Sequence, residues 1–579
     1  MEKWILHNKK ADFEEMTRQL GIDALTARLL ANRQVRDVAV ARFYLRGRLE
    51  DLPAPELLKD GEKAAALLKE ELSRSGRVAV ASDYDADGLF AGQILKESLE
   101  NLGFQVKVLT PNRIQEGYGL NRRILEEAAA FGAGLVLTCD NGIAARDEAE
   151  EARSMGLRLI ITDHHEVPEA GLPEADAVVD PKRKDCTYPF EGICGALVAL
   201  KVMQLLYRLT ERDERVLFKK MLPYAAIATV ADLMDLREEN RIIVREGLKA
   251  LAETDNTGLR ALIEALGLSG RNLTPYHIGF VIGPCFNAAG RLETIEMAQE
   301  LLAERETDKA ALKAAELIAL NQKRQQLTQE GVVLAEEILS KAELDPVIVL
   351  HLPGVHESLA GIIAGRIKEK YYRPALVLTG EGESLKGSAR SVPAYPLYEK
   401  MAECADLFTR FGGHAMAAGF SLPAENLPEL RKRLNEKSGL TEETLSPIIY
   451  LDAAMPPEYA TVERVKEWES IGPFGKGFER PLFGRSPLKL RSIRVLGQKR
   501  NALRLRFSGE SGEAFEGIWF GDVSIWEAFI RTHYGEKTFT MLERGQTQIP
   551  IALAYQPMLH EYNGIQSIQF QIKHFQAVT

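Results

Sequence analysis

Between about residue 60 and residue 165, short apolar runs alternate with amphipathic stretches of roughly a dozen residues. Val78-Ala-Val-Ala81, Gln105-Val-Lys-Val-Leu109, Leu135-Val-Leu-Thr138 and Leu159-Ile-Ile-Thr162 read as strands, with helices between them over 89–102, 121–131 and 144–155. Short apolar strands separated by helices signal βαβ crossovers and a parallel sheet. Upstream, the apolar spacing through 25–31 and 38–45 predicts short helices that stop at Pro53 and Pro55, an N-terminal helical cap over 1–60. Downstream, helices are expected over 196–209 and 216–230, the second broken or kinked at Pro223.

Residues 308–340 contain no proline and are rich in Ala, Leu, Lys, Glu and Gln, which predicts one long helix joining two domains. A second α/β region follows Pro346, with strands at 347–350 and 375–378 and a helix around 359–365. From 447 onward the pattern changes to a period of two: Leu503, Leu505 and Phe507 face one way, Arg504 and Arg506 the other, as in a small β barrel. The expected fold is therefore α/β, a parallel-sheet domain over 61–307, a connecting helix over 308–341, a second α/β domain over 342–446 and a barrel over 447–579.

A chain of 579 residues exceeds one hydrophobic core. Its 45% hydrophobic and 27% charged composition is that of globular protein. It has no apolar run of the roughly 18 residues a membrane span needs, and its first residues lack a secretory leader's pattern, so a cytoplasmic monomer without membrane association is expected. Five cysteines, odd in number and without a CxxC pair, argue against disulfides and structural zinc. The formal charge of -10 disfavours nucleic acid, a polyanion, as partner. Its distribution points the other way: from Arg480 to Phe507 stand nine cations (Arg480, Arg485, Lys489, Arg491, Arg494, Lys499, Arg500, Arg504, Arg506) and no acid. Phe474, Phe478, Phe483 and Phe507 lie beside or among them as candidate stacking platforms for bases, with Phe507 better suited to the barrel core.

The chemistry concentrates where predicted strands end. Asp83, Asp85 and Asp87 lie in Ser82-Asp-Tyr-Asp-Ala-Asp-Gly88, Asp140 in Cys139-Asp-Asn-Gly142, and Asp163-His164-His165 follows the fourth strand. Carboxylates with an imidazole suit Mn²⁺ or Mg²⁺, ions that make phosphate chemistry possible at neutral pH. A calcium-binding EF-hand loop fits the first segment until its twelfth position, where a bidentate Glu is required and Ile94 stands. Singly, each Asp-Gly or Asn-Gly pair is a turn signal; together, at neighbouring strand ends, they form a cage.

On these residues, and on Ala231-Asp-Leu-Met-Asp235, the sequence resembles the DHH phosphoesterase superfamily. Phe286-Asn-Ala-Ala-Gly-Arg291, Gly354 to Gly361, Gly387-Ser-Ala-Arg-Ser391 and Phe411 to Gly419 narrow the resemblance to RecJ-like single-stranded-DNA exonucleases. The resemblance implies a DHH catalytic domain, a DHH-associated domain and an OB-fold. It implies two Mn²⁺ or Mg²⁺ ions held by Asp85, Asp87, Asp140, His164 and Asp232, with Asp83 close by and His165 polarising or donating a proton. It further implies that Asn287, Arg291, Ser388, Arg390, Gly412, Gly413 and His414 line the cleft for substrate phosphates. The acid-free basic stretch itself makes Arg480, Arg485, Lys489, Arg491, Arg504 and Arg506 the expected contacts to the strand. The activity implied is 5′ to 3′ degradation of single-stranded DNA to 5′-mononucleotides in recombination and repair, with single-strand-binding protein and a RecQ-type helicase as partners. Two rivals stand beside it. A phosphodiesterase for short oligoribonucleotides or cyclic dinucleotides would lack the basic barrel, and an inert replication scaffold would have lost its ligands.

Overall fold

Five strands, β1 (Arg77–Ala81), β2 (Gln105–Leu109), β3 (Leu135–Thr138), β4 (Arg158–Thr162) and β5 (Ala177–Val179), form a sheet in the order β2-β1-β3-β4-β5, every pair parallel. Chain order reverses between β1 and β3, so the loops leaving their carboxyl ends diverge and open a crevice, the place where such sheets bind ligands. Helices Arg122–Phe131 and Arg146–Ser154 bury Ile124, Leu125, Ala128, Ala149 and Ala152 in the core of one face. The computed structural model describes residues 2–578 apart from 114, 342, 499, 510 and 563; Lys499 thus lies outside the described residues.

The helix after β1 starts at Ala86, three residues before the apolar pattern suggests, because Asp85 caps it: its Oδ1 accepts from the N–H groups of Asp87 (2.9 Å) and Gly88 (3.1 Å). Pro223 does not break its helix, which runs continuously over Glu214–Ala231 with Pro223 buried inside it. The connecting helix spans Thr307–Leu339. Beyond it a second sheet has the order β9-β10-β8-β7-β6, from β6 (Ile348–His351), β7 (Ala375–Thr379), β8 (Ser384–Arg390), β9 (Arg410–His414) and β10 (Ala417–Pro423). The β6–β7 pair is parallel and the others antiparallel. No described helix is long and apolar enough to cross a membrane.

Both sheets belong to one compact unit, Pro53–Leu233 and Gly247–Pro447 with the first three residues. The second unit is discontinuous, assembled from Trp4–Leu52, Met234–Glu246 and Ile448–Thr579. Its centre is a closed ring of β11 (Phe483–Leu496), β12 (Ala502–Ser508), β13 (Ala514–Phe520), β15 (Ile565–Ala577) and β14 (Ile549–Tyr562), with β14 pairing back onto β11. The N-terminal helices, within Trp4–Leu52, pack in the barrel's unit. Buried polar contacts tie them there. Arg33 donates to both carboxylate oxygens of Asp452 at 2.8 and 3.1 Å, Asn32 adds a bond at 2.9 Å, and all three side chains are buried. From the middle segment, Arg241 donates to the carbonyls of Ile471 (2.6 Å), Gly472 (2.9 Å) and Pro473 (3.2 Å) and covers the ring of Phe478 at 4.0 Å.

Removing one partner of a buried pair leaves the other charge unmatched, a loss of about 3–5 kcal/mol. Asp452→Ala should destabilise the second unit by that amount in denaturant titration, whereas the double substitution Arg33→Met with Asp452→Leu should recover most of the loss.

Candidate active site

The loops at the carboxyl ends of β1, β3 and β4 converge on His164. Its Nε2 lies 3.0 Å from Asp140 Oδ1, 3.6 Å from Asp87 Oδ2 and 3.7 Å from Asp232 Oδ2. Asp83, Asp85 and Asp140 form a second group, each offering an oxygen within 4.8 Å of the others. Close backbone approach makes this density possible. A Cβ on Gly195 would come within 2.7 Å of the Asp140 Cβ, and one on Gly290 within 2.0 Å of the Tyr84 carbonyl oxygen.

Backbone donors hold the carboxylates. Asp87 accepts from Gly195 N–H (2.7 Å) and Ala196 N–H (2.8 Å) at the start of helix Gly195–Leu209, where the helix dipole favours negative charge. Asp140 sits at φ +61°, its carbonyl accepting from the Tyr118 hydroxyl at 2.7 Å. Burial, then the charges of Asp87, Asp85, Asp83 and Asp232, pushes the Asp140 carboxyl far above the ordinary range; burial and Asp85 do the same to Asp83 and bring Asp87 up to about 6. Asp83 Oδ1 is buried with no hydrogen-bond partner among the described residues. Hard oxygens, one imidazole and an orphaned buried acceptor are the donor set of a hard divalent cation, so the residues present fit Mn²⁺ or Mg²⁺.

The two histidines differ. Burial, reinforced by the neighbouring His165, lowers His164 to about 3 and keeps it neutral, as a ligand must be. Burial also opposes charge on half-exposed His165, but Asp163 Oδ1, 2.7 Å from its Nδ1, outweighs this and lifts it to about 9. Asp163 is no ligand here: it orients the turn, accepting from the N–H groups of His164 (2.7 Å) and Ile143 (2.9 Å).

Asn287 Oδ1 accepts from Ala86 N–H at 2.9 Å, so it braces the aspartate loop. Arg291 bonds the Ser358 carbonyl at 3.0 Å and, through burial and the nearby guanidinium groups of Arg113 and Arg324, falls to about 10, with Asp85 opposing. Ser388 and Arg390 lie on β8. Burial lowers Arg390, which also approaches Gly361: a Cβ there would stand 3.0 Å from its Nη2 and 3.5 Å from the Ser388 Cβ. Gly412 faces open space, while Gly413, at φ +150° with the Ala417 oxygen 2.3 Å from a would-be Cβ, is structural; His414 is exposed at the end of β9. A cleft of about 470 Å³ is lined by Ser358, Ser388, Gly412, Gly419 and the cations Arg113, Lys386 and Arg410. Sequence reasoning does not single out Tyr118, Arg113, Lys386 or Arg410. Tyr118 alone carries a signal, the flanking glycines Gly117 and Gly119, both at positive φ.

On the barrel, Phe478, Phe483 and Phe507 are fully buried, so the first two are core residues rather than stacking platforms. Phe474 is half-buried beneath Arg480, which also pairs with Glu469 at 3.0 Å. Arg491 is tied to Ser508 (2.9 Å) and the Gly512 carbonyl (3.1 Å), and Arg485 is half-buried. Lys489, Arg494, Arg504 and Arg506 are exposed and make no ion pair among the described residues. Arg494 and Arg504 are direct cross-strand partners.

A parallel sheet with its acid-rich crevice, a second mixed sheet reached by a long helix and a closed basic barrel define a metal-dependent phosphoesterase of DHH architecture. Residues 77–229 match the DHH family, N-terminal domain, residues 344–438 the DHHA1 domain, and residues 451–574 the RecJ OB domain. The chain is 32% identical to the single-stranded-DNA-specific exonuclease RecJ of Dickeya dadantii, covering 96% of each, and 36% identical to that of Bacillus subtilis over 88% of this chain and 65% of that protein. Its fold matches RecJ of Thermus thermophilus, solved in complex with Mn²⁺, at a TM-score of 0.81 and 27% identity over 100% of this chain and 80% of that one. The chain belongs to the RecJ family.

Asp87 binds its proton more tightly folded than at its ordinary value of 3.8, so this contribution to stability is complete below about pH 4 and is lost as pH rises through about 6. It amounts to about 3 kcal/mol at roughly 1.4 kcal/mol per pKa unit. Metal-free protein should therefore lose thermal stability between pH 4 and 6, and added Mn²⁺ should restore it more at pH 7 than at pH 5; equal stabilisation at both pH values in scanning calorimetry would contradict the cluster.

Proposed function

We propose that the chain is a metal-dependent exonuclease that degrades single-stranded DNA from the 5′ end and releases 5′-mononucleotides. The observation that carries this reading is the convergence of Asp87, Asp140 and Asp232 on neutral His164, with Asp83 and Asp85 alongside, in the unit that also holds a cationic cleft. Bound Mn²⁺ or Mg²⁺ supplies an activated water and neutralises charge at the scissile phosphate. Asp85, Asp87, Asp140, His164 and Asp232 hold the ions, and Asp83 offers a further oxygen. The Asp163 carboxylate favours the protonated form of His165. Asp163 and the Tyr118 hydroxyl, 3.1 Å away, occupy its Nδ1, leaving Nε2–H to stabilise a phosphate oxygen or protonate the departing 3′ oxygen. Arg291, Ser388 and Arg390 grip the 5′-terminal phosphate, and the Gly412 backbone gives it room.

Lys489, Arg494, Arg504 and Arg506 hold the strand on the barrel. Opposed arginines are unfavourable on a bare sheet, and phosphates relieve that repulsion. The complete ligand set disfavours an inert scaffold, and the closed basic barrel disfavours an enzyme for dinucleotides. In this reading 61–307 is the catalytic and 342–446 the substrate-binding domain, the protein works in the cytoplasm, and single-strand-binding protein and a RecQ-type helicase present its substrate during repair.

With Mn²⁺, single-stranded DNA labelled at either end should yield mononucleotides from the 5′ end, and none with chelator. Asp140→Ala should lower the rate at least about a hundredfold, the scale of losing one electrostatic partner of the transition state; an unchanged rate removes the metal reading. Arg504→Gln with Arg506→Gln should flatten the dependence of log Kd on log salt by about 1.4, at roughly 0.7 for each lost phosphate contact on single strands.

A further inference from the structure

The outward face of the second sheet is a grid. Burial alternates along β8, so Lys386, Ser388 and Arg390 share the open side while Leu385, Gly387 and Ala389 are buried. Strand register sets three rows across β8, β10 and β9. Arg390 aligns with Ala417 and His414, Ser388 with Gly419 and Gly412, and Lys386 with Ser421 and Arg410. Arg390 reaches Gly361 in the segment whose Ser358 carbonyl accepts from Arg291, and Gly290 beside Arg291 packs on Tyr84 of the aspartate loop, so the first row marks the metal end. The middle row is a floor without side chains at Gly412 and Gly419, where added Cβ atoms would meet nothing within 4 Å.

The cleft does not stop at that floor. It continues to Lys386 and Arg410, both of which line it. At about 3.4 Å per residue, the last row lies about 7 Å beyond Ser388. Lys386 is paired with Glu357 at 3.0 Å, a carboxylate that also lines the cleft, so part of its charge is offset. Arg410 is exposed and has no ion pair among the described residues. Of the three residues assigned to the terminal phosphate only Ser388 lines this cleft, so its volume extends past that phosphate towards Lys386 and Arg410.

We propose that Lys386 and Arg410, with the Ser421 hydroxyl, form a subsite for a second phosphoryl group, one step beyond the 5′-terminal phosphate. This rests on the exonuclease reading and extends it. Two sources have this chemistry: the γ-phosphate of a 5′-triphosphate end, since two phosphoanhydride links reach about as far as two strand residues, and the phosphate of one additional nucleotide at the 5′ side. In the first case water attacks the phosphorus of the first phosphodiester, the P–O3′ bond breaks, and the 3′ oxygen takes a proton. The product is then a nucleoside 5′-triphosphate and a strand with a 5′-phosphate. In the second, the next phosphodiester is cut by the same step and a dinucleotide leaves. Ends of the first kind are what any polymerase that starts a chain without a primer leaves behind.

The test uses the full chain with Mn²⁺ and three single-stranded oligonucleotides of one sequence. One carries a 5′-monophosphate, one a 5′-triphosphate, and one a 5′-monophosphate with an uncleavable methylphosphonate first linkage. Release of nucleoside triphosphate from the second, or of dinucleotide from the third, is expected at a rate comparable with mononucleotide release from the first. Arg410→Gln and Lys386→Gln should each lower kcat/KM on the extended end about tenfold more than on the monophosphate, the scale of one charged hydrogen bond. No measurable cleavage of either extended substrate overturns the subsite, as does an equal loss on all substrates in both variants. Failure of the wild-type protein on the 5′-monophosphate strand is a separate result, which removes the exonuclease reading itself.

Discussion

Like-charge repulsion among Asp83, Asp85, Asp87, Asp140 and Asp232 is the constraint around which the catalytic unit is built. Two unit charges about 4 Å apart at an effective dielectric near 20 repel by about 4 kcal/mol, so a bare cluster would spread. Fixed dipoles prevent this. Helices Ala86–Asn101 and Gly195–Leu209 both begin at the cluster, Asp85 capping the first and Asp87 accepting from two backbone N–H groups of the second. The approach requires glycine at the contact points, which is why Gly195 and Gly290 flank the acidic motifs in space although they are far from them in sequence.

The same repulsion separates the roles of two adjacent histidines. One ring is buried among carboxylates that need a cation, and burial keeps it neutral. The next turns toward Asp163, whose own position is fixed by three backbone N–H groups and which therefore acts as a rigid base for the charged imidazole. A single peptide step thus moves from an imidazole held neutral to one held protonated. The charge of the surroundings, rather than the residue type, makes the difference.

Much of this was legible in the sequence because it is local. Strand, turn and helix within each βαβ unit are set by neighbouring residues, and the period-two pattern of Leu503, Leu505 and Phe507 against Arg504 and Arg506 emerges as buried and exposed faces of one strand. The acidic clusters were legible because turn residues in such numbers conflict with a merely structural reading. What escaped depends on contacts far apart in sequence. Tyr118 reaches Asp140 and His165 from a loop with no chemistry of its own, and the Lys386–Ser421–Arg410 row exists only once three strands are in register. Phe478 and Phe483, placed among cations, look accessible by composition; packing within the second unit closes over them. Chain order alone puts the N-terminal helices with their sequence neighbour for the same reason, since nothing near Arg33 announces Asp452.

That pairing also governs how the protein is made. Arg33 and Asp452 are separated by 419 positions, which a ribosome adding about 5–20 residues per second covers in roughly 20–80 s. For most of that interval Arg33 is an unmatched guanidinium with no barrel to dock on, while the sheets between the two residues are being made. The catalytic unit is itself complete only once Pro447 has been made, so the nascent chain carries an orphaned opening segment alongside a folding catalytic body, and any transcript cut short before the final strands yields a product whose opening segment never finds its place.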